Sequence, residues 1–151
     1  MIVPFGILFA FHPGSDKELN SEALRCLMGC LISLDRAYLR AMARKGRTVP
    51  HLYDSGIVYG RTQSWDTIPD MLAKGYGDCK SLTAMLCAQA LESGHHCEPV
   101  FRFAIRPNDG GLDFHILCLT DGTMSYRGRT LELYHDPSKV LGMLRVYASE
   151  Q

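Results

Sequence analysis

Three residues in one order carry the chemical interest of this chain: Cys79, His115 and Asp136. Cys79 follows Gly75-Tyr-Gly77-Asp78 and opens a run with helical spacing. A helix N-terminus supplies positive potential, which lowers a thiol pKa. The glycines let backbone approach closely, so a substrate carbonyl can reach the sulfur. The Cys79 backbone N–H would then point at that carbonyl oxygen as an oxyanion donor. His115 lies in a run with two-residue alternation, on one face with Asp113 and Leu117. A sheet packed on the Cys79 helix would turn that face to the sulfur. Asp136 follows the next strand-like run, where it could orient the imidazole and stabilise imidazolium. Nucleophile, base and orienter in this order make a workable set for acyl chemistry.

Each member also has a plainer explanation. A cysteine at a helix start is often just a small buried residue. A strand histidine is commonly a hydrogen-bonded core or surface group. An aspartate before proline is commonly a turn or helix cap. Order and context raise the joint case above the separate ones.

These residues need elements to hold them. From about Ser21 to Lys45 the apolar residues fall at Leu24, Leu27, Met28, Leu31, Leu34, Tyr38 and Met42, which predicts one long helix. Ser15-Asp-Lys-Glu18 ahead of it has capping-box spacing, and Gly46 suits its stop. Ile57-Val-Tyr59 reads as a short strand. Trp65 to Lys74 reads as a short helix capped by Asp66 or Thr67, with Pro69 in its first turn. Asp78 opens the Cys79 helix, Leu82, Met85, Leu86 and Ala90 form its buried stripe, and Gly94 closes it. The period then changes to two. Phe101, Phe103 and Ile105 alternate with Arg102, Ala104 and Arg106, a second strand spans Asp113 to Leu119, and a third runs from about Thr130 to Tyr134. Asp121-Gly122 signals a hairpin turn between the last two. Ser138 starts a short helix through Met143. Helices followed by an antiparallel meander predict an α+β fold in one domain over residues 1–151.

Composition bounds the function. The 151 residues are 46% apolar and 21% charged, with a formal net charge of zero. That balance favours neither nucleic acid nor an anionic membrane surface. The opening Met-Ile-Val-Pro-Phe-Gly-Ile-Leu-Phe-Ala-Phe lacks a basic start and is broken by Pro4 and Gly6. It is read as an extended segment docked on the domain, not as a signal peptide or membrane span. Six cysteines without a secretory context point to a reducing cytoplasm. Cys30, Cys87 and Cys118 sit among apolar residues as small core groups. Cys26 and Cys30 with His95, His96 and Cys97 match no common zinc spacing, so no metal is expected. No phosphate-binding loop is present, and no cofactor is expected.

Gly77-Asp78-Cys79 before a helix, a strand bearing His115, and Asp136-Pro-Ser-Lys-Val-Leu-Gly-Met143 together resemble the transglutaminase-like superfamily. The nearest branch is the small transglutaminase-like proteins of bacteriophages and prophages. The resemblance spans most of the chain, including Tyr53-Asp-Ser-Gly-Ile-Val-Tyr59 and Trp65-Asp-Thr-Ile-Pro69. It implies a papain-like fold with the nucleophile helix packed on an antiparallel sheet. It implies acyl transfer through a thioester on a protein or peptide, with Cys79 as nucleophile, His115 as base and Asp136 as orienter. Water as acceptor gives hydrolysis; an amine gives crosslinking. Trp65, Tyr76, Gly77 and Asp78, with Gln63, are the candidates for substrate contacts and a second oxyanion donor. Relatives often carry acidic residues after the cysteine, where this chain has Lys80 and Ser81. Lys80 would favour a thiolate; the missing acid at Ser81 would weaken the helix-start hydrogen bonds. That drift motivates the alternative: an inactive fold serving as a binding or virion-assembly module for a phage or host protein.

Overall fold

The computed structural model describes residues 17–110 and 112–142. The apolar opening segment, Ser15-Asp16 of the capping box and Met143 lie outside the described residues. The chain is α+β. A long helix α1 (Lys17–Arg44) leads through a 3-10 turn (Leu52–Asp54) to β1 (Val58–Tyr59), α2 (Ile68–Lys74) and β2 (Tyr76–Gly77). Then come the central helix α3 (Cys79–Glu92) and strands β3 (Cys97–Ile105) and β4 (Leu112–Thr120). A small hairpin β5 (Ser125–Tyr126) and β6 (Arg129–Thr130), strand β7 (Tyr134–His135) and helix α4 (Pro137–Val140) follow. No described helix is long and apolar enough to cross a membrane.

The stripe of α1 turns slightly from the one predicted. Leu24, Met28 and Leu31 are buried, but Leu34 is 59% exposed and Asp35 is wholly buried. Positions 24, 28, 31 and 35 repeat at close to 3.6 residues over three turns, so Asp35 falls on the inner line. Its Oδ1 accepts from the Ile68 N–H at 2.8 Å, while Oδ2 is buried without a partner. α2 begins at Ile68 rather than Trp65, and of the two expected caps, Asp66 and Thr67, it is Thr67 that stands at the N-cap, but without a side-chain cap bond, so α1 supplies an acceptor there instead. Burial pushes the Asp35 carboxyl up to about 7.

α3 is the spine. Every residue from Cys79 to Ala88 is buried, so the helix is covered all round rather than along one stripe. α1 packs on one side, with Arg36 and Arg40 both reaching Glu92 at its far end, at 2.7 and 2.9 Å. β3 and β4 pack elsewhere on it, and Ile116 and Cys118 join Leu82, Met85 and Leu86 in one core. Each such fully buried aliphatic side chain is worth roughly 1.5–3 kcal/mol against exposure. Gln89 clamps the loop before β1 to the helix, accepting from the Leu52 N–H (3.0 Å) and donating to the Pro50 carbonyl (2.9 Å).

The main sheet is antiparallel in the order β3-β4-β7. β3 begins four residues before the predicted Phe101 and pairs along its full length with β4, Arg102 opposite His115 and Phe101 opposite Ile116. The predicted third strand is divided. Thr130 ends β6 and Tyr134 begins β7, with Leu131 turned into the core between them. The hairpin turn falls at Arg127-Gly128, both at positive φ, rather than at Asp121-Gly122. Asp121 instead holds the Thr123 and His96 N–H groups, both at 3.0 Å. β1 and β2 form a separate two-stranded parallel pair.

Candidate active site

α3 starts where the sequence places it. Asp78 is its N-cap, and its side chain accepts from the Lys80 N–H at 3.2 Å. Before it, Gly75 ends α2 in the left-handed conformation (φ 83°), and Gly77 passes so close to Met71 that a Cβ there would lie 2.5 Å from its sulfur. Cys79 is thus the first residue of the helix, 8% exposed, in the wall of a cleft that His115 also lines. As a first-turn donor, the Cys79 N–H has no carbonyl within the helix to bond.

The strand side of the site is built on the edge of β4. Ile116 presents both backbone groups to α3. Its carbonyl accepts from Thr83 Oγ1 at 3.2 Å, and its N–H hydrogen-bonds the Cys79 sulfur. The face expected against α3 was that of Asp113, His115 and Leu117. The wholly buried contacts with Leu82 and Met85 come instead from Ile116 and Cys118, and His115 stays partly exposed in the cleft. The His115 ring donates through Nε2 to Asp136 Oδ2 at 2.7 Å. An ionised carboxylate only accepts, so in the neutral ring the proton sits on Nε2 and Nδ1 is the free acceptor.

Asp136 holds two posts at once. Its Oδ1 caps α4 by accepting from the Ser138 N–H at 3.1 Å, while Oδ2 takes His115. The helix cap and the contact with His115 therefore belong to one side chain. The predicted start of α4 at Ser138 moves back to Pro137 for the same reason. His135 does not compete for the site. Successive strand residues face opposite ways, and its Nε2 is hydrogen-bonded to the Tyr53 hydroxyl. Burial holds the His135 imidazole below its ordinary pKa.

The thiol itself departs from expectation. The Cys79 pKa is raised, first by burial and then by the Asp78 charge, with Asp136 adding to it. The Ile116 N–H and Lys80 pull the other way. Lys80 acts in the direction expected, but it is locked in a buried ion pair with Asp78 and also donates to the Thr62 carbonyl at 3.1 Å. Burial and the neighbouring carboxylates thus favour the thiol form over the thiolate. The Ser81 hydroxyl accepts from the Asp66 N–H at 2.9 Å and ties the α2 approach to α3.

The other predicted contacts divide. Trp65, Gln63 and Asp78 line the cleft with Cys79, and Lys80 Nζ lies 5.7 Å from the Trp65 ring centre. Tyr76 and Gly77 do not line it. β2 pairs with β1, which holds Gly77 in the interior against Met71, while Tyr76 lies under Lys74 at 4.5 Å. The sequence reading passed over Arg102 and Arg106, which line the cleft from β3 and its end. The alternation in β3 contained that signal, since it sets Arg102 beside the histidine strand.

A second group of cysteines lies deeper. The sulfurs of Cys87, Cys97 and Cys118 all fall within 4.8 Å of one another, Cys87 to Cys97 at 2.9 Å and Cys87 to Cys118 at 3.9 Å. Among the described residues this is the set whose spacing could hold a soft metal ion. Cys26 and Cys30 are exposed on α1, against the core role expected of Cys30. His95 and His96 sit at the turn before β3, next to Thr123 and Asp121, so the set weighed from sequence is not assembled.

No family model matches the chain, and no curated protein or solved structure is similar to it.

Proposed function

We propose that this chain is a cysteine-dependent acyltransferase or amide hydrolase of transglutaminase-like, papain-type architecture, acting on a protein or peptide through a thioester at Cys79. The observation that carries the reading is the 2.7 Å hydrogen bond from His115 Nε2 to Asp136, made at the wall of the cleft that also holds Cys79. It fixes the imidazole with Nδ1 free to take a proton.

In this mechanism the Cys79 proton passes to His115 Nδ1 as the sulfur attacks the substrate carbonyl carbon. A C–S bond forms, and the carbonyl electron pair moves to oxygen, which the Cys79 N–H stabilises. Collapse breaks the C–N bond, and the leaving amine takes the proton from His115. Water or a second amine then attacks the thioester and releases Cys79. The cleft volume of about 1240 Å³ exceeds the ~300–1,000 Å³ usual for small-molecule pockets and suits an extended chain. The chemistry needs a reduced sulfur, hence a reducing compartment such as a cytoplasm, the host's if the chain is phage-encoded.

A second reading rests on the raised pKa and low exposure of Cys79: the fold serves as a phage protein-binding or assembly module without turnover. Site-resolved mass spectrometry of iodoacetamide alkylation separates the two. Under the enzyme reading, His115→Ala lowers the Cys79 rate at pH 7 about tenfold or more, as loss of a general base does. Equal rates in both proteins across pH 5–9 would hand the chain to the binding-module reading.

A further inference from the structure

The molecule has no net charge, but the cleft does. Its walls carry four fixed cations, Arg61, Lys80, Arg102 and Arg106, against two carboxylates, Asp78 and Asp113. Both carboxylates are spent. Asp78 is paired with Lys80, and Asp113 accepts from Arg106 at 2.8 Å, with Asp109 on the same guanidinium at 3.0 Å. Arg102 is exposed and takes part in no ion pair among the described residues. Its place is fixed by the sheet: it stands directly opposite His115 in the β3–β4 register. Opposed residues of an antiparallel pair share a face, with Cβ atoms about 4.5–5.5 Å apart. The two side chains therefore leave the sheet on the same face, and both line the cleft. A planar fork of donors, always charged, is suited to bidentate capture of a carboxylate.

We propose that Arg102 is a specificity residue that binds a substrate carboxylate next to the scissile amide, so that the cleft selects acidic peptides. The inference rests on the acyl-transfer reading of Cys79 for its substrate, but the anion subsite itself does not depend on turnover. The carboxylate has two sources, an Asp or Glu side chain or a chain-terminal α-carboxylate, and one guanidinium serves either.

Two alkylating agents of nearly equal size test the subsite. Iodoacetate carries the carboxylate and iodoacetamide does not. At low salt the ratio of their rates at Cys79 is expected to exceed that at exposed Cys26 by about tenfold. Arg102→Gln is expected to remove that excess, read as the ratio of the two rates at Cys79 so that a change common to both reagents cancels. Arg102→Lys is expected to keep part of it. Protection of Cys79 from iodoacetamide by millimolar blocked peptides then identifies the source. Protection by a Glu peptide but not its Gln counterpart assigns the side chain; protection by a Gln peptide with a free C-terminus but not an amidated one assigns the terminus. A rate ratio at Cys79 that equals Cys26, or that Arg102→Gln does not change, overturns the proposal. A preserved anion preference with alkylation indifferent to His115→Ala keeps the subsite and removes the enzyme reading instead.

Discussion

Cys79 and Cys87 sit on the same helix, eight residues or about 12 Å apart along its axis, and their surroundings are opposite. Cys79 has a backbone N–H from Ile116, the wall of a cleft, and a histidine held by a carboxylate. Cys87 is wholly buried and has other thiols for partners. Both pKa values are raised, but for different reasons. Burial leads at Cys79, whereas at Cys87 the hydrogen bonds to Cys118 and with Cys97 lead. Cys97 is pulled the other way, by Cys118 first and then Cys87. A thiol becomes a nucleophile through access and a base, and neither can be read from the residue type.

The largest expected effect breaks or keeps this contrast outright. Cys79→Ala should fold and lose all reaction with acyl and electrophilic probes, a drop of at least about 100-fold on the scale of losing a nucleophile. Cys87→Ala should leave that reaction within twofold. In the native wild type, Cys87, Cys97 and Cys118 should resist alkylation until denaturant is added. Strong native labelling at Cys87 would erase the distinction between the two regions.

The next test concerns the closed side of the molecule, where a buried group without a base or an outlet affects stability alone. Asp35 is folded with a carboxyl pKa of about 7 against an ordinary 3.8. The folded state therefore keeps its proton to higher pH than the unfolded chain. This contribution to stability is fully present below pH 4, is lost as pH rises toward 7, and is level above. Its upper bound is on the order of 4 kcal/mol. Asp35→Asn should flatten that loss, seen by urea unfolding at pH 5 and pH 8. An unchanged difference between the two pH values would mean that Asp35 does not hold its proton.

The smallest effect sharpens the open side. Asp136→Asn keeps a good N-cap for α4, so stability should change by less than about 0.5 kcal/mol. It removes the carboxylate from His115 and should slow Cys79 alkylation at pH 7 about tenfold, measured beside thermal unfolding. A large loss of stability with normal reactivity would make Asp136 a cap alone.

The helices were legible because their signals are local. Apolar spacing, Pro69, Gly75, Asp78 and Gly94 act within a few residues of the chain, and α1, α2 and α3 begin or end close to them. The order Cys79, His115, Asp136 was legible too, and the contact between the last two was found at hydrogen-bond distance. Leu34 and Asp35 were not separable, since one residue of rotation on a helix decides which is buried, and the packing of α1 on α3 makes that choice. The third strand failed because Leu131 answers to the core rather than to its neighbours in sequence.

What the sequence by itself determined is the set of elements and the order of reactive groups, because capping, turn chemistry and periodicity depend on neighbours along the chain. Only the tertiary structure decided which groups meet. It gathered Cys87, Cys97 and Cys118 from three elements, turned His135 to Tyr53 and Asp136 to His115, and locked Lys80 to Asp78. It also raised the Cys79 pKa where the helix start alone would lower it. Burial and charge act through space, between residues that the chain keeps tens of positions apart.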